Sequence, residues 1–454
     1  MFKLSHESFL DYKKRVIDSK SPSFCGAKWL NATIWLGAGK TASCHHPPAH
    51  DIDVRELETN PTAIHNTRHK KEMRKLMQNG QRPAECDYCW KMEDMDRQVV
   101  SDRVFKTVIY EDSDLEIISK TNFEKNINLQ TLEIAFDRSC QFACSYCNAN
   151  FSTTWSKEIK KFGPYQNLKS DGAGHFTSDG DESDLYMPNE KNPYIEAFWR
   201  WWPELSQSLK ELRITGGEPL MTPHLWKLFD YFGDRGGSGQ LVFSVNSNLG
   251  SKDELIDRLI EKSHYINRFK IFTSGEAFGK QAEYIRDGLH FDNWIANLEK
   301  VLMHARLETM NLMMTVNALS LFSITEFLDK TLEIKKKFSP GYITWSVNIL
   351  RFPSFQSVLT LPEEIKQDSR EKIKVWCQTN FTSKHITEFE KESLLRLIDY
   401  LDNVKTSHSN SSETKLLKND FKIFYQQYDQ RRNKKFHETF PENLVKWYNE
   451  IQVI

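Results

Sequence analysis

Leu132-Glu-Ile-Ala-Phe-Asp-Arg-Ser-Cys140-Gln-Phe-Ala-Cys144-Ser-Tyr-Cys147-Asn-Ala-Asn150 is the stretch whose reading decides the fold. Leu132, Ile134 and Phe136 alternate with smaller or charged residues, the period of two that marks a strand. Cys140, Cys144 and Cys147 follow directly past the strand's end and therefore sit on a loop. Gaps of three and then two residues let a short loop curl until the three sulfurs face one point. A closed structural zinc site takes four ligands, and no fourth follows within this loop. Soft thiolates select zinc or iron–sulfur, and three thiolates on a four-iron cube leave one iron open to a substrate or cofactor.

Downstream of the thiols, strand-like runs near 132–136, 211–215, 240–246, 269–274, 311–317 and 342–349 alternate with helical ones. That order predicts an α/β fold of parallel βαβ units, closing with right-handed crossovers into a partial (β/α)6 TIM-type barrel. Loops at the C-terminal ends of such strands carry the chemistry. The helical runs have their own signals: Thr222 with Pro223 at the first helical position, and Ser323 with Glu326 as a capping-box pair.

Three of those loops hold candidate residues. The second strand runs into Thr215-Gly216-Gly217-Glu218-Pro219, where the glycines allow close backbone approach and the Glu218 carboxylate can fix its own loop beside an ammonium site. The third strand ends in Ser244-Val-Asn246-Ser-Asn248, amides that either reach a bound cofactor or cap a turn. Beyond the fourth come Ser274 and then Tyr284-Ile-Arg286-Asp-Gly288, in which the Arg286 fork suits a carboxylate ligand or a surface salt bridge. A long Gly-, Ser-, Asp-, Asn- and Pro-rich insertion at 163–193 leads into Phe198-Trp-Arg-Trp-Trp202, rings expected to pack into the barrel wall.

Ahead of the barrel, Ala32–Leu36, a Gly-Ala-Gly turn at 37–39 and Lys40–Cys44 read as a β-hairpin ending in a thiol. Residues 66–80 form a basic amphipathic helix stopped by Asn79-Gly80, expected to present a solvated face rather than a nucleic-acid patch. Cys86 and Cys89 then complete a set of four with Cys25 and Cys44, which can close a zinc site or fully ligate an iron–sulfur cluster. His45, His46, His65 and His69 are read as surface histidines, with zinc ligation as the alternative.

The 454 residues suffice for two to three domains, and 61 Lys plus Arg against 62 Asp plus Glu leave no global charge to steer the chain to nucleic acid or an anionic membrane. No signal-peptide run opens the chain and no apolar segment reaches membrane-spanning length, so a cytoplasmic protein without membrane partner is expected. Seven of the eight cysteines fall between 25 and 147, which in a reducing compartment favours metal ligation over disulfides. The expected divisions are a Cys-rich hairpin and helix module at 1–97, a connector at 98–130, the barrel at 131–362 and a helical extension at 363–454, with a linker at 402–413. Cys377 stands alone and reads as a core thiol.

The pattern Cys140-x3-Cys144-x2-Cys147, with Tyr146 before the third thiol, resembles the radical S-adenosylmethionine enzymes. Gly216-Gly217-Glu218-Pro219 is similar to the same family's second motif. The resemblance implies a [4Fe–4S] cluster on the three cysteines, S-adenosylmethionine on the open iron, and Tyr146 against the adenine. It further implies that reductive cleavage yields a 5′-deoxyadenosyl radical that abstracts a substrate hydrogen. By the same resemblance the Gly216–Pro219 turn contacts the methionine amino group, Asn246, Asn248 and Ser274 reach the cofactor, and Arg286 binds its carboxylate. Cys25, Cys44, Cys86 and Cys89 resemble a Twitch/SPASM module holding a second [4Fe–4S] cluster, here placed before the barrel. A peptide or protein substrate and a reducing partner such as flavodoxin or ferredoxin are implied. The alternatives are chemistry on a sugar, nucleotide or cofactor precursor, and a non-catalytic iron–sulfur or zinc protein.

Overall fold

Strand Asn31–Trp35 pairs in parallel with strand Thr131–Ala135, Ile34 opposite Ile134, so the hairpin and the first expected barrel strand belong to one sheet. The computed structural model describes residues 7–95, 99–180, 185–186, 190–403 and 412–454. It divides into two compact units, residues 1–137 with 184–215 and residues 138–183 with 216–454. The parallel ladder ties the N-terminal hairpin to the strands Thr131–Ala135 and Glu211–Thr215, which draws all of them into the first unit.

Within the first unit the sheet runs, by strand, Glu211–Thr215, Thr131–Ala135, Asn31–Trp35, Lys40–Ala42 and His50–Asp51. The hairpin has the expected antiparallel register, Thr33 opposite Ala42 and Trp35 opposite Lys40, and its turn closes on Gly39 at φ +60°. Tyr12, Phe24, Trp29, Leu30, Trp90, Val104 and Leu115 form a buried cluster against which Cys25 and Cys86 pack. Gly26 is required beside Cys25, because a Cβ there would press on Leu115 and Tyr110. The insertion's aromatic run is helical, Pro193–Ser208, and buries Phe198, Trp201 and Trp202 as expected.

The basic helix is Arg68–Gln78, and it departs from the expected solvated face. Lys70 and Arg74 are fully buried. They escape the usual cost of burying a cation because Lys70 Nζ donates to Thr41 Oγ1 (2.7 Å) and the Ala42 carbonyl (3.0 Å), while Arg74 donates to the Lys28 carbonyl (3.1 Å) and Asn66 Oδ1 (3.0 Å). His65, read as a surface residue, is buried beneath them.

The second unit holds four parallel strands in the order Val242–Asn246, Arg268–Ser274, Thr309–Val316 and Ile343–Ile349. All six expected strands exist, and α/β is the fold class. Phe229, Phe243 and Phe269 pack edge-on and stacked between helix and sheet. The capping box at Ser323 does not form, because Ser323 Oγ accepts from the Phe278 N–H (3.0 Å) instead of from its own helix. Helices Glu363–Asn380, Glu388–Asn403 and Ser412–Arg432 complete the unit, and Cys377 is buried in the first of them. Of the expected linker at 402–413, residues 404–411 lie outside the described residues, as do 181–184 and 187–189 of the insertion. Among the described residues no helix is long and apolar enough to cross a membrane.

Candidate functional site

The Cys140–Cys147 loop is held through its carbonyls, one after another, by side chains just beyond it and by others far away in sequence. Thr154 Oγ1 donates to the Cys140 carbonyl (2.6 Å), Ser152 Oγ to that of Phe142 (2.6 Å) and Trp155 Nε1 to that of Cys144 (2.9 Å). Arg432 Nη1 reaches the Ala143 carbonyl (3.1 Å), Gln356 Nε2 that of Ser145 (2.9 Å) and His175 Nε2 that of Tyr146 (3.1 Å). A loop with its backbone acceptors so occupied presents its side chains, rather than its carbonyls, to a ligand.

Cys140 and Cys144 are buried and Cys147 is half-buried. Burial pushes all three thiols up, Cys147 to about 12, with Cys144 adding its charge to both neighbours. A soft metal group binding here displaces protons. Donors for thiolate sulfur are in place: the Phe142 N–H at 3.4 Å and Asn248 Nδ2 at 3.9 Å from Cys140 Sγ, and Arg286 Nη1 at 3.7 Å from Cys144 Sγ. Three thiols on one short loop, with charge-assisted or neutral N–H groups aimed at the sulfurs of Cys140 and Cys144 and no carboxylate among those donors, fit a thiolate-ligated iron–sulfur group.

The Gly216–Pro219 turn meets this loop directly. The Glu218 N–H donates to the Ser139 carbonyl at 2.6 Å, and a Cβ on Gly217 would collide with the carbonyl oxygens of Arg138 and Ser139. Gly216, exposed at φ +126°, turns the chain out of its strand, and Pro219 is buried at the start of a short helical turn. Glu218 fixes its own loop, as expected: its carboxylate accepts from the Leu220 N–H (3.0 Å), Ser247 Oγ (2.8 Å) and the Asn248 N–H (2.7 Å). Burial nevertheless lifts it to about 7, against the pull of those three donors.

Arg286 is buried, and its fork is already engaged: Nε lies 3.1 Å and Nη2 2.6 Å from the two oxygens of Glu276. Burial alone would lower the guanidinium, but the Glu276 charge holds it well above its ordinary value. Tyr146 joins the pair by donating its hydroxyl to Glu276 (3.1 Å), with the guanidinium 5.6 Å from its ring centre. Arg286–Asp287 also pairs antiparallel with Ala143–Cys144, putting Cys144 opposite Arg286. Gly288 permits this approach, at φ +98° with the Gln141 carbonyl where a Cβ would stand. Asn246 and Ser274 stand half-buried at the C-terminal ends of adjacent parallel strands.

The residues that the sequence did not single out are Glu276, Gln356 and His175. Glu276 lies two positions after Ser274, yet only its pairing with Arg286 and Tyr146 reveals a role. Arg432 had a signal in Asp429-x-x-Arg432: Asp429 accepts from the Tyr284 hydroxyl (2.6 Å), so that both residues bind the site's two segments.

In the first unit Cys25, Cys44, Cys86 and Cys89 line one cavity together with Lys28, His46, Asp102 and Arg103. Burial first, with the Cys25 charge adding to it, raises Cys44, Cys86 to about 12 and Cys89 to about 11. Four thiols facing one space, with the buried Lys28 beside Cys86, fit a thiolate-ligated metal group as well.

No family model matches the sequence, and no curated protein matches it. Among solved structures the chain is similar to Streptococcus suis SuiB, at 12% identity and a TM-score of 0.35, over 69% of this chain and 63% of that one. The chain thus spans less than two thirds of that protein. SuiB bound to S-adenosylmethionine aligns at 13% identity and a TM-score of 0.35, over 78% of this chain and 70% of that one. TYW1 with a lysine-pyruvate adduct bound aligns at 14% identity and a TM-score of 0.24, over 54% of this chain and 74% of that one. Likeness this slight bears no weight on activity.

Proposed function

We propose that the chain is a radical S-adenosylmethionine enzyme. Cys140, Cys144 and Cys147 would hold a [4Fe–4S] cluster, and the backbone around Gly216, Gly217 and Glu218 would receive the ammonium of S-adenosylmethionine. The single observation that carries the proposal is the direct docking of the Gly-Gly-Glu-Pro turn on the cysteine loop, through the Glu218 N–H and Ser139 carbonyl. Two motifs some 75 residues apart in sequence are thereby one site, with a cofactor-sized chemistry requirement at each half. The cluster and S-adenosylmethionine would supply one-electron cleavage to a 5′-deoxyadenosyl radical that abstracts a substrate hydrogen.

The protein's own share is positional. Glu218 ties its loop to Ser247 and Asn248, Asn248 reaches back to Cys140, and the Glu276–Arg286 pair fixes Cys144 and Tyr146. Because Glu276 already occupies the Arg286 fork, a carboxylate ligand would have to share Nη1 or approach over Tyr146. Asn246 and Ser274, at the ends of the neighbouring strands, are proposed to reach the rest of the cofactor.

Cys25, Cys44, Cys86 and Cys89 are proposed to hold a second [4Fe–4S] cluster of the Twitch/SPASM type, supported by their shared cavity. A peptide or protein substrate and a flavodoxin or ferredoxin as reductant follow from the same family resemblance. The test is an iron and sulfide count on anaerobically reconstituted protein in which Cys140, Cys144 and Cys147 are all replaced by Ala. About four irons should remain if the four N-terminal thiols ligate a cube. Zinc without iron would reduce that set to a structural clip, and an unchanged count relative to wild type would sink the barrel cluster.

A further inference from the structure

His45, His46 and Asp102 are absorbed by neither cluster. Among the described residues they form the one set of three His, Cys, Asp or Glu side chains whose ligand atoms all lie within 4.8 Å of one another. His46 Nε2 is 2.7 Å and His45 Nε2 3.4 Å from the same oxygen, Oδ2 of Asp102. The two histidines follow Cys44 directly, while Asp102 opens the helix Asp102–Thr107, so the three join segments far apart in sequence.

The rings are not free to wander. His46 stacks on Tyr88 with centroids 4.0 Å apart and planes 15° from parallel, and His45 lies 4.1 Å from His46. Lys106 lies close to His45. Lys106 is also the feature that opposes a bound cation, and it lines the same cavity as His46 and Asp102.

We propose that His45, His46 and Asp102 bind a first-row divalent cation of the zinc type, through two imidazole nitrogens and one carboxylate oxygen. At metal–ligand distances of about 2.1 Å, tetrahedral ligand atoms stand about 3.4 Å apart. The His45 to Asp102 separation already has that value, and a small rotation of the carboxylate opens the His46 contact to match. Two nitrogens and one oxygen suit zinc, cobalt(II) or nickel(II), with water in the remaining position. The ion would pin the turn after Cys44 to the helix at Asp102 and so hold Cys44 toward its partner thiols. This site does not rest on the cluster assignments, since none of its ligands is a thiol.

The experiment uses full-length, cluster-reconstituted protein titrated anaerobically with Co2+, followed by ligand-field absorption and by metal analysis after gel filtration. The expected result is one Co2+ per chain with a nitrogen/oxygen-ligand spectrum, lost in His46→Ala and in Asp102→Asn and kept in the control His304→Ala, an exposed histidine elsewhere. Iron content and far-UV circular dichroism of each variant, matching wild type, show that fold and thiol sites persist. Absence of stoichiometric Co2+, uptake indifferent to His46→Ala and Asp102→Asn, or a thiolate-to-cobalt charge-transfer band would each overturn the proposal.

Discussion

Arg286 Nη1 lies 3.7 Å from Cys144 Sγ while the rest of the same guanidinium is clamped by Glu276. A cation fixed in this way neutralises a buried carboxylate and points its remaining N–H at a thiol that is a candidate metal ligand.

Truncating one partner leaves the other charged and buried. Arg286→Ala or Glu276→Ala should each cost about 3–5 kcal/mol in denaturant unfolding. The double variant Arg286→Met with Glu276→Leu should recover most of that loss, because neither charge is then stranded. Equal losses in single and double variants would show that packing, not charge pairing, matters there.

Gly217→Ala should separate the two motif loops without unfolding the protein. Its Cβ would meet the Arg138 and Ser139 carbonyls, so the Glu218 N–H must leave the Ser139 carbonyl. S-adenosylmethionine binding, measured by calorimetry on reconstituted protein, should be lost while the melting profile stays cooperative. Wild-type affinity in Gly217→Ala would mean that the docking is dispensable.

Lys335 and Glu390 form a second buried ion pair, joining helix Ile324–Lys335 to helix Glu388–Asn403. Glu390 also accepts from the Trp345 N–H (2.7 Å), the Thr387 N–H (2.7 Å) and Thr387 Oγ1 (2.9 Å). Glu390→Ala strands all of these donors and should destabilise by about 3–5 kcal/mol. Glu390→Gln, which keeps acceptor capacity, should cost less. A loss under about 0.5 kcal/mol in the Ala variant, the scale of an ordinary surface change, would contradict the assignment.

Acid should weaken the first unit through His65 and His50. Burial first, then Lys70 and Arg74, holds His65 well below the usual imidazole range, and burial with Lys70 brings His50 to about 3. Both folded values lie below the unfolded value near 6.5, so between them the folded chain binds fewer protons. Their contribution is complete above about pH 6.5 and is lost as pH falls below it, the His50 part as pH falls toward about 3. The urea midpoint should therefore decline below pH 6.5, and His50→Gln should flatten part of that slope. An identical slope in the variant would exclude His50 as a cause.

Much of the site was legible because its residues are local in sequence. The strand before Cys140, the thiol spacing and the Gly216–Pro219 turn all lie within short windows, and strand period fixes the rest of the sheet. What could not be read was which distant groups satisfy buried charge. Lys70 and Arg74 look like a solvated stripe until the carbonyls of Ala42 and Lys28 are seen to receive them. Arg286 reads as a ligand clamp or a surface salt bridge, and nothing local foretells that buried Glu276 takes part of its fork. Parallel pairing of strands 100 residues apart, Asn31 opposite Thr131, likewise leaves no mark in local composition.

The most direct test of the proposed chemistry is mass-spectrometric detection of 5′-deoxyadenosine after anaerobic incubation of the reconstituted protein with S-adenosylmethionine and dithionite. Wild type should form it, and the variant in which Cys140, Cys144 and Cys147 are Ala should form none. A wild-type preparation with its full iron complement that binds S-adenosylmethionine yet releases no 5′-deoxyadenosine would contradict the proposed chemistry.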